Sequence, residues 1–169
     1  NQDGVYRGLT SVNRAVGLSL NTVAVKIVAE LGPETCFKFA KDQLGLAGLV
    51  EETTISGNKF SDIDYSPMAL GSLTRGVTVR QMTGAYATFP NQGTYREPRT
   101  YTKVLDKDDK VILDNTQKTH RAMNETAAWY MTYMLHNAVT GGTGSPAQIP
   151  DMTVAGKTGT TTSDNDRWF

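Results

Sequence analysis

Glycine and proline cut this chain into short pieces, and that punctuation limits what it can fold into. A helical period from Thr22 to Leu31, with Val23, Ile27 and Leu31 on one face, stops at Gly32. It restarts behind Pro33, which suits the first position of a new helix running to about Leu44. Thr10 or Ser11 can cap an earlier helix ending near Gly17, and Thr78 can cap another over VRQMTGAYATF, where Met82, Ala85, Tyr86 and Phe89 are spaced for burial. Asn124 caps the longest periodic run, ETAAWYMTYMLHNAV, which Gly141, Gly142 and Gly144 end. On that helix Trp129, Tyr133 and His136 suit core and helix-surface places better than ligation.

Between the helices the pattern changes. Residues 46–67 are rich in turn formers without a sustained period and are expected to form a long surface excursion. TYTKVLD and KVILDN predict a hairpin closed by the charged residues Asp106 to Asp109. IPDMTVAGKTGTTT alternates as a strand does, which would put Lys157 and Thr158 on opposite sides of the pleat. Helical and irregular stretches thus alternate along the chain without an internal repeat.

Composition excludes several functions for a chain of 169 residues. Lys plus Arg and Asp plus Glu balance at 17 each, so no net field recruits nucleic acid or an anionic membrane. The single cysteine, Cys36, cannot form an intrachain disulfide, and its helical setting points to packing rather than nucleophilic chemistry. His120 and His136 have no partner at metal-ligand spacing, so neither a metal nor a cofactor is expected. No apolar stretch approaches the ~20 residues of a membrane span, and the first ten residues are neither basic nor apolar enough for a signal peptide.

Two short motifs carry chemistry. In Lys157-Thr158-Gly159, a glycine that weakens a strand is useful where something extended must lie close to it. Lys157 offers a positive charge there, and Thr158 and Thr160 offer hydroxyl and amide donors to an anionic or carbonyl group. A solvated edge strand accounts for the same triplet. The second motif is Ser-x-Asn, at Ser19-Leu20-Asn21 in the joint between two helical stretches. It is a weak pattern, because Ser11-Val12-Asn13, Ser56-Gly57-Asn58 and Ser163-Asp164-Asn165 match it too, and capping or turn chemistry explains most of them.

The surrounding text decides between them. YRGLTSVNRAVGLSLNTVAVKIVAELG, YSPMALGSLTRGVTVRQMTGAYATFPNQGTY, VTGGTGSPA and VAGKTGTT resemble the transpeptidase domain of bifunctional, class A penicillin-binding proteins, over nearly the whole chain and in order. Penicillin-binding proteins and class A β-lactamases share Ser-x-x-Lys, a Ser-x-Asn element and Lys-Thr-Gly. The resemblance implies the α+β penicillin-binding-protein and serine β-lactamase-like fold, a five-stranded antiparallel sheet beside a helical region, with residues 1–169 supplying most of the helical region plus the Lys-Thr-Gly strand. It implies acyl transfer from the D-Ala-D-Ala ends of peptidoglycan stem peptides, with β-lactam antibiotics trapping the serine.

By the same resemblance, Ser19 joins a proton relay with Lys157 and Asn21 hydrogen-bonds the substrate's amide region. Thr158 binds the terminal carboxylate, Gly159 lets the substrate lie against the strand, and the Thr160 amide supplies half of the oxyanion hole. Ser163-Asp164-Asn165 follows Lys157, on the wrong side for the family's order. The only Ser-x-x-Lys is Ser56-Gly57-Asn58-Lys59, whose Gly-Asn interior disfavours the helical turn that brings positions i and i+3 to one face. The expectation is therefore a partial transpeptidase domain without its nucleophile. Such a piece is inactive alone, and its exposed strand edge invites self-association or pairing with the upstream part of the same protein. The glycosyltransferase domain and membrane anchor would lie in that upstream part, placing the enzyme on the outer face of a bacterial cytoplasmic membrane. Two other readings are a serine β-lactamase-type hydrolase, which needs a deacylating carboxylate, and a non-catalytic module that binds peptidoglycan or β-lactams. The long separation of Ser19 from Lys157, with its AYATF and NQG text, favours the transpeptidase.

Overall fold

The computed structural model describes residues 5–161 and 167–169. Ser163-Asp164-Asn165 lies outside the described residues. Three helices open the chain: α1 (Val12–Gly17), α2 (Asn21–Leu31) and α3 (Pro33–Lys38), the last widening into a π turn over Phe39–Gln43. The helix expected to reach Leu44 as one regular piece therefore changes its hydrogen-bond step at Phe39, whose carbonyl accepts from Leu44 N. The caps fall where the sequence puts them. Ser11 accepts from Arg14 N, and Pro33 opens α3 behind Gly32, whose φ of 85° suits only glycine.

The expected excursion over residues 46–67 contains regular structure. Strands β1 (Thr53–Ile55) and β2 (Asn58–Phe60) form an antiparallel hairpin around Ser56-Gly57, both residues at positive φ, and α4 (Tyr65–Leu70) follows. This pairing explains Ser56-Gly57-Asn58-Lys59: Ser56 is an exposed turn residue and Lys59 pairs with Glu52. What holds this region to the body is Asp62, which is 0% exposed. Its carboxylate accepts from Val50 N (2.8 Å), Thr74 N (2.7 Å) and the Thr74 hydroxyl (2.7 Å), while its own amide donates to Val50 O (2.8 Å). One side chain thereby closes two loops.

Helix α5 (Val79–Ala87) begins with a capping box, Gln81 N donating to Thr78 Oγ1 (3.2 Å) and Thr78 N to Gln81 Oε1 (2.9 Å). The face expected to be buried is inside only in part, with Ala85 buried and Met82 and Phe89 half-buried. Gly84, Ala85 and Thr88 are inside, because Pro98 crosses so close that a Cβ on Gly84 would meet it at 2.5 Å, and Tyr86 is left 37% exposed. Strand β3 (Thr94–Arg96) pairs with β6 (Thr119–Arg121), and between them β4 (Lys103–Leu105) and β5 (Val111–Asp114) make the expected hairpin, exposed throughout.

Helix α6 (Glu125–Gly141) is the spine of the fold, capped by Asn124 Oδ1 accepting from Ala127 N (2.7 Å). It buries Ala128, Leu135, Ala138 and Val139 and packs on α1, while α2 packs on α3 and α4. Trp129 and Tyr133 stack on its outer surface, with Trp129 60% exposed. Among the described residues, no helix is long and apolar enough to cross a membrane. After α6, a 3₁₀ turn (Ser145–Ala147) leads to β7 (Gly159–Thr160), paired antiparallel with β8 (Arg167–Trp168). Among the described residues, the strand expected across residues 149–162 is thus confined to Gly159–Thr160, because Val154 and Gly156 bond to helix α6.

Candidate active site

Ser19 and Lys157 stand 138 positions apart in sequence, and Lys157 Nζ donates to Ser19 Oγ at 2.9 Å. Each is held by backbone geometry that the neighbouring residues dictate. Ser19 follows the C-terminus of α1, where Ser19 N donates to Val16 O (3.1 Å) and Leu20 N to Ala15 O (2.9 Å). These two bonds are the Schellman closure, and buried Leu20 and Ala15 supply the apolar contact that accompanies it. The residue in the middle must be left-handed, and glycine normally fills that place. Ser19 fills it at φ 54°. A side chain kept at a strained position points to a use for its hydroxyl.

A consequence can be measured. Ser19→Gly is expected to melt at or above the parent temperature, gaining up to about 1 kcal/mol by relieving the left-handed serine, while removing the hydroxyl partner of Lys157. A clear drop in melting temperature would mean that the serine's bonds, and not its use, keep it there.

Lys157 is positioned from α6. Gly156 N donates to Leu135 O (3.2 Å) and the His136 ring donates from Nδ1 to Val154 O (2.9 Å), so residues 154–156 are fastened along the helix. A Cβ on Gly156 would meet the tip of the exposed Phe169 ring at 2.5 Å, so a side chain there would have to displace that ring. Asn137 Nδ2 donates to Asn13 Oδ1 (3.0 Å) and ties the same helix to α1, which carries Ser19. His136 and Asn137 therefore align the two halves of the site. Their adjacent places in one helix gave no hint of this, because the partners are 18 and 124 residues away.

The lysine does not lie across a pleat from its neighbour. Besides Ser19, Lys157 Nζ donates to Thr158 O (2.8 Å) and reaches Thr158 Oγ1 at 3.4 Å, so the two side chains converge where alternation would have separated them. Burial holds the Lys157 pKa below the ordinary lysine value of 10.5, since part of the ammonium's hydration is lost. Thr158 Oγ1 meets Thr143 Oγ1 at 2.7 Å, a contact that the sequence did not suggest. Asn21, exposed, opens α2 two residues beyond Ser19.

Gly159 lies open, as Gly17 and Gly141 do. A Cβ there would meet nothing closer than Trp168 Cβ at 4.0 Å, and its φ is not in the left-handed range. Among the described residues nothing requires glycine at this place, which leaves room for an extended ligand to lie close. Thr160 sits beside it in β7, opposite Arg167.

The site thus gathers a serine hydroxyl bonded to a partly desolvated lysine, and a pair of threonines beside an open glycine. A family model described as "Penicillin binding protein transpeptidase domain" matches residues 1–167. The chain belongs to this family. Penicillin-binding protein 1A of Clostridium acetobutylicum is 38% identical over 170 residues, covering 100% of this chain and 20% of the relative. Penicillin-binding protein 1A/1B of Bacillus subtilis is 38% identical over 164 residues, covering 97% and 17%. The transpeptidase segment thus spans about a fifth of the length of the curated relatives it matches. Among solved structures, the D,D-transpeptidase domain of a peptidoglycan glycosyltransferase from Eggerthella lenta superposes with a TM-score of 0.73 at 20% identity, covering 99% of this chain and 45% of that one. Penicillin-binding protein 1A from Haemophilus influenzae gives 0.72 at 20% identity, covering 96% and 28%. The α+β transpeptidase fold is common to all of them.

Proposed function

We propose that this chain supplies the Ser-x-Asn and Lys-Thr-Gly side of a serine-type peptidoglycan D,D-transpeptidase site, which cross-links stem peptides and is acylated by β-lactams. The observation that carries the proposal is the 2.9 Å bond from Lys157 Nζ to Ser19 Oγ, which joins the two motifs across the whole chain. In this reading Ser19 passes a proton between Lys157 and the reacting groups, and Asn21 holds the substrate's amide. Thr158 receives the terminal carboxylate, Gly159 lets the peptide lie alongside, and the Thr160 amide stabilises the developing oxyanion.

The acylated serine lies outside these 169 residues. The only Ser-x-x-Lys among them is the hairpin turn at Ser56–Lys59, where the lysine is engaged with Glu52 and the serine faces solvent. Taken alone, then, the chain binds but does not turn over. The relatives' length is consistent with a bifunctional protein whose other parts are a glycosyltransferase domain and an anchor, with this domain on the outer face of the cytoplasmic membrane.

Intact mass after incubation with excess benzylpenicillin tests the proposal. The 169-residue chain should gain no mass, and the full-length protein should gain one adduct, on a serine outside these residues. An unmodified full-length protein would sink the enzymatic reading, and an adduct on Ser56 would overturn the placement of the nucleophile.

A further inference from the structure

We infer that Thr143 is a positioning residue that aims the Thr158 hydroxyl at the substrate carboxylate; the inference rests on the function proposed above. Thr143 lies in the glycine-rich turn after α6, and its hydroxyl is 2.7 Å from that of Thr158. The turn is not loosely placed. Thr143 N donates to Gly17 O (3.0 Å), and a Cβ on Gly142 would run into Gly17 O and into Ala138 O at 2.8 Å. Thr143 is therefore registered against the C-terminus of α1, two residues before Ser19, and reaches from there to the Lys-Thr-Gly segment.

Proton accounting gives the contact a direction. A threonine hydroxyl has one proton to donate and two lone pairs to accept with. Lys157, an ammonium, can only donate, and its Nζ reaches Thr158 Oγ1 at 3.4 Å. When Thr143 donates as well, both lone pairs of Thr158 are engaged inside the protein and its single proton is left pointing outward. With the contact reversed, Thr158 would spend its proton on Thr143 and present its remaining lone pair to a carboxylate, repelling it. An anionic ligand selects the first arrangement, and the chain of donors polarises the outward O–H further. Thr143 thus never touches the ligand, yet sets whether Thr158 is a donor or an acceptor towards it.

The test separates charge recognition from general damage. In the full-length protein, acylation rates are measured with benzylpenicillin, which carries the free carboxylate, and with its methyl ester, which has the same ring system without the charge. Thr143→Val keeps the shape and loses the hydroxyl; Thr143→Ser keeps the hydroxyl. Thr143→Val is expected to lose roughly 10- to 100-fold against the free acid, the worth of a hydrogen bond to a charged group, with the ester rate within about threefold of the parent. Thr143→Ser should retain the parent's preference for the acid. An unchanged acid-to-ester ratio in Thr143→Val, including an equal fall of both rates, would overturn the inference and leave Thr143 a structural residue. A parent protein that takes up adduct without preferring the acid would instead remove the carboxylate role of Thr158, and this inference with it. A parent that takes up no adduct would remove the function on which both rest.

Discussion

Replacing Lys157 by alanine in the full-length transpeptidase is expected to lower the acylation rate by benzylpenicillin about 10²- to 10⁴-fold, the range for loss of a positioned proton-transfer group. The fold should be little affected. Lys157 is half-buried and its burial disfavours the charged form, so removing it also removes an unfavourable desolvation. The sign of the pH dependence follows. With the folded pKa below the unfolded 10.5, the unfolded chain binds more protons between the two values. The destabilisation is fully present below the folded pKa and is relieved as pH rises from there towards 10.5. The same lowering favours the neutral amine, which helps a group that must take up and return a proton. Lys157→Arg sharpens the test, since a guanidinium keeps the charge but does not give up its proton. A relay predicts that arginine fails to restore the rate. Full restoration by arginine would reduce Lys157 to an electrostatic anchor, and an alanine variant within tenfold of the parent would remove it from the mechanism.

Asp62→Ala is expected to be the most damaging single change away from the site, costing roughly 3–5 kcal/mol. The carboxylate accepts three hydrogen bonds at 2.7–2.8 Å in a place without solvent. Its loss strands the Val50 and Thr74 amides, and each stranded buried donor costs about 1–3 kcal/mol on top of the charge-assisted bonds that are lost. At about 2–4 °C per kcal/mol for a chain of this size, the melting temperature should fall on the order of 10 °C. Asp62→Asn should fall between, because its amide nitrogen must face one of the two stranded N–H groups. A calorimetric loss under about 1 kcal/mol for the alanine variant would mean that the loops at Val50 and Thr74 are held by other contacts.

The helix starts were legible because capping is local: Ser11, Thr78 and Asn124 each act on an amide three residues on. The Gly32-Pro33 break was legible for the same reason. Strands depend on partners elsewhere, and there the sequence misled in both directions. Residues 53–60 looked irregular because strands of three residues carry too little alternation, although Ser56-Gly57 is a turn signal. The alternation before Lys157 was real but found a helix as its neighbour, through Leu135 and His136. The pairing of Ser19 with Lys157 came from likeness to a family and not from spacing, since no local rule connects residues 138 apart. The Schellman turn that sets Ser19 was hidden because serine, unlike glycine, does not announce a left-handed backbone. Thr143 was missed for a related reason: a threonine among glycines looks like turn filler until its neighbour in space is known.

The hairpin of β4 and β5 lies within the stretch of chain that the Ser19–Lys157 bond closes, and both of its strands are exposed. Closure entropy grows only with the logarithm of the enclosed length, so grafting ten residues onto the tip near Lys107 and Asp108 would cost the closure below about 0.1 kcal/mol. Because the register of the two strands is fixed by their own ladder, such growth stays outside the body. The fold thus has a port at which a foreign peptide or a whole module can be added while the reacting groups, at the far ends of the sequence, keep their distance.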